Sequence, residues 1–199
     1  MELQTDRLIL RQWQSSDLPV FAQINSNKLA MEHFPNQLSR SASDDLAARL
    51  ANEIATCGWG MWAVELKSTS TFIGFVGLST PLTQFPFSPC VEIGWRLHPD
   101  NWGYGFATEA AEMALEFAFT FLELKEVVAM TATTNHRSEA VMQRLGLKNT
   151  KNNFFHPNVS LDSRVSEHLL YKITQAEWRN PNGWMVRRPE ADLLFLADM

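Results

Sequence analysis

Apolar residues recur along this chain with two different periods, and the switches between them predict the order of its elements. From residue 7 to 13, Leu8, Leu10 and the same-side position Gln12 alternate with Arg7, Ile9 and Arg11, the two-residue period of a strand. Ser15, Ser16 and Asp17 then offer side-chain acceptors for the free N–H groups of a helix start. Leu18, Phe21, Ala22 and Ile24 follow at helical spacing, so a first helix is expected to reach about Asn25. Leu46, Ala47, Leu50, Ala51 and Ile54 form the apolar face of a second helix over 45–56, with Ser43 or Asp44 as its cap and Gly58 as its end. Three runs rich in branched and aromatic residues, 59–66, 71–78 and 91–97, are separated by turn-prone or proline-containing stretches and predict an antiparallel meander. A helix over 106–122 and a strand over 127–133 come next; a helix between two strands makes a parallel crossover the natural connection. Asn135 begins a short helix that Gly146 ends, and 165–174 predicts a late strand closing the sheet. The sum is an α+β fold, a single mixed sheet with flanking helices.

Composition narrows what such a fold does. A chain of 199 residues without internal repeat or low-complexity linker predicts one domain over 1–178, with 179–199 as a tail docked on it through Leu193, Leu194 and Phe195. A net charge of −5 supplies no broad basic surface, which argues against a nucleic-acid partner. Local basic groups such as Arg96, Arg137, Arg144 and Lys148 still suit a small phosphorylated ligand. Cys57 and Cys90 are far apart and outside any C-x-x-C pair, so neither a metal site nor a disulfide framework is expected. The acidic start of the chain lacks the basic and apolar regions of an export signal, and the greasy stretch 113–122 is too short to cross a bilayer. A soluble cytoplasmic protein without a membrane partner is the expectation.

The chemistry concentrates in Trp102, Gly103, Tyr104 and Gly105, a loop joining a strand to a helix. The first helical turn leaves N–H groups without intrahelical partners, and two glycines let a pyrophosphate approach the backbone. Two common phosphate motifs do not fit. A P-loop requires Gly-Lys-Ser/Thr where Gly105, Phe106 and Ala107 stand, and a dinucleotide fingerprint wants glycine at Thr108 and an acidic residue where the next strand ends in Thr133, Thr134 and Asn135. Along the helix, Ala107, Ala110, Ala111, Ala114 and Ala118 offer small packing positions. Glu109, Glu112 and Glu116 form a polar stripe, with a solvent or capping role expected for Glu109.

Glu92-Ile93-Gly94-Trp95-Arg96-Leu97-His98-Pro99, followed by Trp102-Gly103-Tyr104-Gly105-Phe106-Ala107-Thr108-Glu109-Ala110, resembles the GNAT acyltransferases, most closely the branch of ribosomal-protein N-terminal acetyltransferases (RimJ/RimL type). The opening residues 5–11, Asn135-His136-Arg137-Ser138 and Leu145-Gly146-Leu147 recur in the matching order, so the resemblance spans about 5–178. It implies a mostly antiparallel mixed sheet in which two neighbouring parallel strands splay and admit the pantetheine arm of acetyl-coenzyme A. By matching positions, Leu97 and nearby backbone groups hold pantetheine, and Trp102, Gly103, Tyr104, Gly105, Phe106, Ala107 and Thr108 hold the pyrophosphate. Asn135 meets pantetheine from the other side, a role compatible with capping the helix it starts. Two positions depart from the family pattern. Asp100 stands where a glutamine or arginine is frequent, which leaves the pyrophosphate to backbone N–H groups, and Met142 stands where many members carry a tyrosine that protonates the thiolate. Ser138, one turn earlier, is the substitute candidate for that proton and a further coenzyme contact.

Acetyl transfer to an amine needs a base, an oxyanion donor and a proton for the leaving thiolate. Glu92 is the candidate base, directly or through water, or an ordinary strand-edge charge. N–H groups near Gly94 and Trp95 are candidates for the acetyl carbonyl. His156 and His168 are alternative bases or structural hydrogen-bonding residues, His156 ranking behind Glu92. Direct transfer leaves Cys57 and Cys90 as structural thiols. Trp13, Phe34, Trp59, Trp62, Phe85 and Phe87 suit the core or the walls of an acceptor pocket. The expectation is thus an acetyl-coenzyme A-dependent N-acetyltransferase acting on a protein N-terminus or a small amine, including an amine-bearing drug. A non-catalytic acyl-coenzyme A sensor is the competing reading, and a homodimer is compatible with the resemblance.

Overall fold

In the computed structural model, residues 1–179, 182 and 183 are described. The elements run β1 (Leu3–Gln4), β2 (Leu8–Arg11), α1 (Leu18–Ser26), α2 (Arg40–Cys57), β3 (Met61–Leu66), β4 (Thr71–Ser79), β5 (Glu92–Leu97), α3 (Phe106–Thr120), β6 (Glu126–Ala132), α4 (His136–Arg144), β7 (Lys148–Asn149), β8 (Phe154–Phe155) and β9 (Glu167–Thr174). One sheet carries all the strands in the order β1-β2-β3-β4-β5-β6-β9-β7, with β8 also paired to β9. Every pairing is antiparallel except β5 with β6, where the crossover through α3 imposes the parallel sense. This is the α+β architecture that the periodicities predict.

Helices cover both faces. On one side, Trp13 meets Phe21 of α1 edge-on at 4.8 Å, and Phe75 of β4 joins the same aromatic group. On the other, Trp62 of β3, fully buried, meets Phe117 of α3 edge-on at 5.3 Å. Trp13 and Trp62 are therefore core residues, as aromatic residues in strands usually are. Arg11 is buried with Asp17, whose carboxylate it grips through both Nη atoms at 2.8 and 2.9 Å while its Nε reaches Glu65 at 2.7 Å. This pair ties β2 to the start of α1. Among the described residues, no helix is long and apolar enough to cross a membrane.

Three expectations need correction. Helix α2 begins at Arg40, capped by Ser39, whose side chain accepts from the Ala42 N–H; the expected cap Ser43 lies inside the helix, fully buried, accepting from Asn25 Nδ2 at 2.8 Å. The tertiary bond occupies the hydroxyl that the sequence offers as a cap. Glu109 and Glu116 are not solvent-facing members of a polar stripe: they are 9% and 7% exposed. Glu109 is bound by Thr5 and Arg7, and Glu116 accepts from Trp178 Nε1 at 2.8 Å. The two-residue strands β1, β7 and β8 lack the length for a periodic signal and were not expected. The docking expected of Leu193, Leu194 and Phe195 lies outside the described residues; Asn182 donates to Glu112 of α3.

Candidate active site

Strands β5 and β6 pair through a single register position, Glu92 with Val128, and then part. On its other side β5 is fully zipped to β4 from Glu92 to Leu97. The His98 N–H bonds Ile73 of β4, so by the two-residue alternation of a strand the N–H groups of Trp95 and Leu97 point the opposite way, into the gap. Gly94 N–H belongs to the β4 ladder. Of the two oxyanion donors expected near this point, the free one is that of Trp95. Trp102 Nε1 donates to Leu97 O at 2.9 Å and fixes the loop to the end of the strand.

The loop then turns through Gly103 and Gly105, with φ of +84° and +82°, conformations that a side chain strains. Gly105 caps α3 with no side chain to offer, and the first helical bond is Glu109 N–H to Gly105 O. The N–H groups of Gly103 through Thr108 donate to no acceptor among the described residues. A run of free amides at the positive end of a 15-residue helix is a cradle for an oxyanion. Arg7 braces it from behind, donating to Tyr104 O at 3.0 Å and lying 4.6 Å over the Phe106 ring.

A continuous cleft of about 1620 Å³ runs from this cradle through the gap and onto the sheet face that carries Glu92 and Arg96. Leu97, Trp102, Gly103, Gly105, Phe106, Ala107, Thr108, Asn135 and Ser138 all line it. Tyr104 does not: the residue is 63% exposed and its ring stacks on that of Phe106. Asn135 caps α4, its Oδ1 accepting from Ser138 N–H at 3.2 Å while both its amide hydrogens go to Thr131 Oγ1 and Ser138 Oγ. One lone pair of Oδ1 remains for another donor. Ser138 Oγ accepts from Asn135 Nδ2 at 3.1 Å and from Trp95 Nε1 at 3.3 Å, so its own proton is left to donate elsewhere. Met142 is buried beneath it and serves as core.

Glu92 makes no hydrogen bond or ion pair among the described residues, and burial alone pushes its carboxyl up to about 7. Arg96, two positions along the same face, is lowered to about 10 by burial. His156 and His168 also line the cleft, their rings 5.0 Å apart, both held below the usual histidine value by burial. Each has a structural partner: His156 Nδ1 accepts from Asn158 N–H, and His168 Nδ1 faces Ser166 O. Phe34 and Phe85 are cleft walls, while Phe87 stacks on Phe85 from behind. The α1–α2 connection closes one side of the cleft, with Glu32 near Arg137 and Arg164 at 3.8 and 3.9 Å and His33 3.2 Å from Thr134.

A family model described as "Acetyltransferase (GNAT) domain" matches residues 7–148. The chain belongs to the GNAT acetyltransferase family. It is 32% identical over 149 residues to FsC-acetyl coenzyme A-N(2)-transacetylase of Aspergillus fumigatus, a match covering 70% of this chain and 62% of that relative's length. Among solved structures, the GNAT-family acetyltransferase from Bacillus anthracis aligns with a TM-score of 0.74 at 20% identity, covering 89% of this chain and 100% of that one. Spermidine N-acetyltransferase from Vibrio cholerae, in complex with CoA and spermine, aligns with a TM-score of 0.68 at 20% identity over 87% and 98% of the two chains. These likenesses establish the GNAT fold.

Within this GNAT site, two contributions were not legible beforehand. The Trp95 indole reaches from β5 across the gap to α4, a contact between elements 43 positions apart. Arg96 was legible only as a local basic group for a phosphorylated ligand, whereas it lies on the Glu92 face of β5, away from the N–H cradle. The residues present fit a coenzyme A thioester on two observations of this chain: the run of free amides suits a pyrophosphate, and the unpaired edge of β5 suits the amides of a pantetheine arm.

Proposed function

We propose that this GNAT protein is an acetyl-coenzyme A-dependent N-acetyltransferase that passes the acetyl group directly to a primary amine with both substrates bound. The observation that carries the reading is Glu92, a carboxyl without a partner among the described residues, in the wall of the cleft beside the point where β5 and β6 still pair, raised to about 7 by burial. A general base works best when its pKa lies near the working pH. Bound acetyl-coenzyme A supplies an activated thioester carbonyl. Glu92 takes the proton of the attacking amine, directly or through one water. Trp95 N–H, free in the gap, donates to the acetyl oxygen as negative charge grows there. Ser138 gives its unengaged proton toward the departing sulfur and recovers it from solvent. The cradle from Gly103 to Thr108 holds the pyrophosphate, with Asn135 Oδ1 accepting from a pantetheine amide.

A free carboxyl tuned in this way favours catalysis over a sensing role, since a sensor has no use for a base. Motif similarity supports the ribosomal-protein N-terminal branch, and the open cleft also accommodates a small amine. The deciding experiment is calorimetric titration with acetyl-coenzyme A, desulfo-coenzyme A and NAD, followed by an amine panel with thiol detection. Binding of both coenzyme A species but not NAD, with thiol release only when an amine is present, is the expected result; thiol silence across the panel would leave a coenzyme-binding protein without transferase activity.

Two variants probe the halves of the site. Gly105→Trp forces a side chain onto a left-handed backbone position at the cradle and is expected to weaken acetyl-coenzyme A binding by roughly tenfold or more. Unchanged affinity in a folded variant would move the phosphate site elsewhere. Ser138→Ala is expected to lower kcat by roughly tenfold, with a smaller change in coenzyme affinity, because proton donation to the thiolate is lost while the backbone cap remains. An unaltered kcat would assign that proton to solvent.

A further inference from the structure

Arg96 carries more charge and more free hydrogen-bonding capacity than its surroundings use. Its Nη1 donates to Asn25 Oδ1 at 2.6 Å, and its guanidinium lies 4.0 Å over the Phe34 ring and 5.4 Å from that of Phe75. Nε is buried without any hydrogen-bond partner, and Nη2 donates to none among the described residues. No carboxylate pairs with it there either, in contrast to buried Arg11, which grips Asp17 and Glu65. Nε–H and Nη2–H point the same way along one side of the guanidinium plane, the edge that takes both oxygens of a carboxylate at once. A half-buried cation whose Nε is shut from water without a partner, and whose Nη2 is left to the cleft, is costly unless something arrives to fill that edge. Asn25, itself fully buried and held by Ser43, fixes the opposite edge and so aims the empty one.

Resting on the transferase reading above, we infer that the acceptor is an amine that also carries a carboxylate several bonds away, held by the Nε/Nη2 edge of Arg96 while its amine sits at Glu92. Glu92 and Arg96 lie on the same face of β5, four residues apart, which places their Cα atoms about 13 Å from each other. That span suits an elongated amino acid or a short peptide carrying an acidic group. It disfavours a polyamine, whose second cation would meet the guanidinium, and an acceptor whose carboxylate adjoins its amine. Phe34 and Phe75 supply apolar walls beside the guanidinium, and the low local dielectric strengthens the ion pair.

The test is a binding measurement on the protein saturated with coenzyme A, which needs no turnover. 8-Aminooctanoate, octylamine and 1,8-diaminooctane share a chain and an amine and differ at the far end. The acid is expected to bind roughly tenfold or more tighter than octylamine, and the diamine weakest. Arg96→Gln, checked for fold by circular dichroism, is expected to erase that preference. Asn25→Asp, which places an internal carboxylate on the same guanidinium, should erase it by a different route and so guards against a variant that misfolds. Equal binding of the three amines, or a preference for the diamine, overturns the inference. So does an Arg96→Gln variant that keeps the acid preference, or one that loses acetyl-coenzyme A affinity by the same factor, which would give the edge to a coenzyme phosphate. Preferential binding of the acid without any acetylation would uphold the anion subsite and sink the transferase reading; acetylation without preference would do the reverse.

Discussion

Glu92→Gln is expected to lower kcat by roughly 100- to 10,000-fold while leaving acetyl-coenzyme A affinity within a few-fold, since the amide keeps the shape of the side chain and loses only its proton-accepting form. In the wild type, kcat/KM should rise with pH and level off above about 7, the value to which burial lifts this carboxyl. The sign follows from the cause. Burial disfavours the charged form, so below pH 7 the group is increasingly neutral and cannot accept a proton, and the rate falls about tenfold per pH unit. An acceptor amine of low pKa keeps its own ionisation out of this limb. In the variant the limb should vanish. Stability gives a separate readout. A carboxyl whose folded pKa exceeds its unfolded value stabilises fully below the unfolded value and loses that contribution as pH rises through the folded one. Glu92→Gln should therefore gain stability relative to the wild type between about pH 4.5 and 7, on the order of 1–3 kcal/mol, with the gain persisting above. Unchanged turnover across pH would transfer the base role to His156 or water; a stability difference independent of pH would show that the carboxyl is not desolvated.

How much of this was legible in the sequence depends on how local each feature is. The segment from Glu92 to Thr108 is a strand, a loop and a helix start in unbroken succession, and its consequences, the glycine turns, the free amides and Glu92 on the cleft face, follow from neighbours in the chain. Features that depend on remote partners were misread or missed. Ser43 has the chemistry of a cap, yet Asn25 claims its hydroxyl and Ser39 caps α2 instead. Glu109 has the spacing of an exposed helical position, yet Thr5 and Arg7, in the turn between β1 and β2, bind it. Arg96 has the sequence signature of any basic residue, and only the absence of a paired carboxylate among the described residues, with Asn25 on one edge, gives it meaning. Periodicity reports which face of an element is apolar; it does not report which polar group on that face has found a partner.

Glu109→Ala carries the largest expected loss of stability among changes near the site, about 2–4 kcal/mol, or roughly 5–10 °C in Tm for a domain of this size. The carboxylate accepts from Thr5 Oγ1 at 2.5 Å, from Arg7 N–H at 3.0 Å and from Arg7 Nε at 2.5 Å, and it sits in the first turn of α3, where the helix dipole favours an anion. Removing it strands the Thr5 hydroxyl, which has little access to water at 4% exposure, and frees the Arg7 N–H. The ion pair adds less than its length suggests, because the Arg7 side chain is 49% exposed and solvent screens it. Function should suffer as well. Arg7 holds Tyr104 O and covers Phe106, so an Arg7 released from Glu109 no longer braces the loop, and acetyl-coenzyme A affinity should fall along with Tm. Glu109→Gln, which can still accept from Thr5 or Arg7 N–H, should lose less of both. A Tm unchanged by the alanine would mean that water replaces the carboxylate at this junction. A lowered Tm with intact coenzyme affinity would show that the cradle holds its shape through the glycine turns and the Trp102 to Leu97 bond alone, without the brace from Arg7.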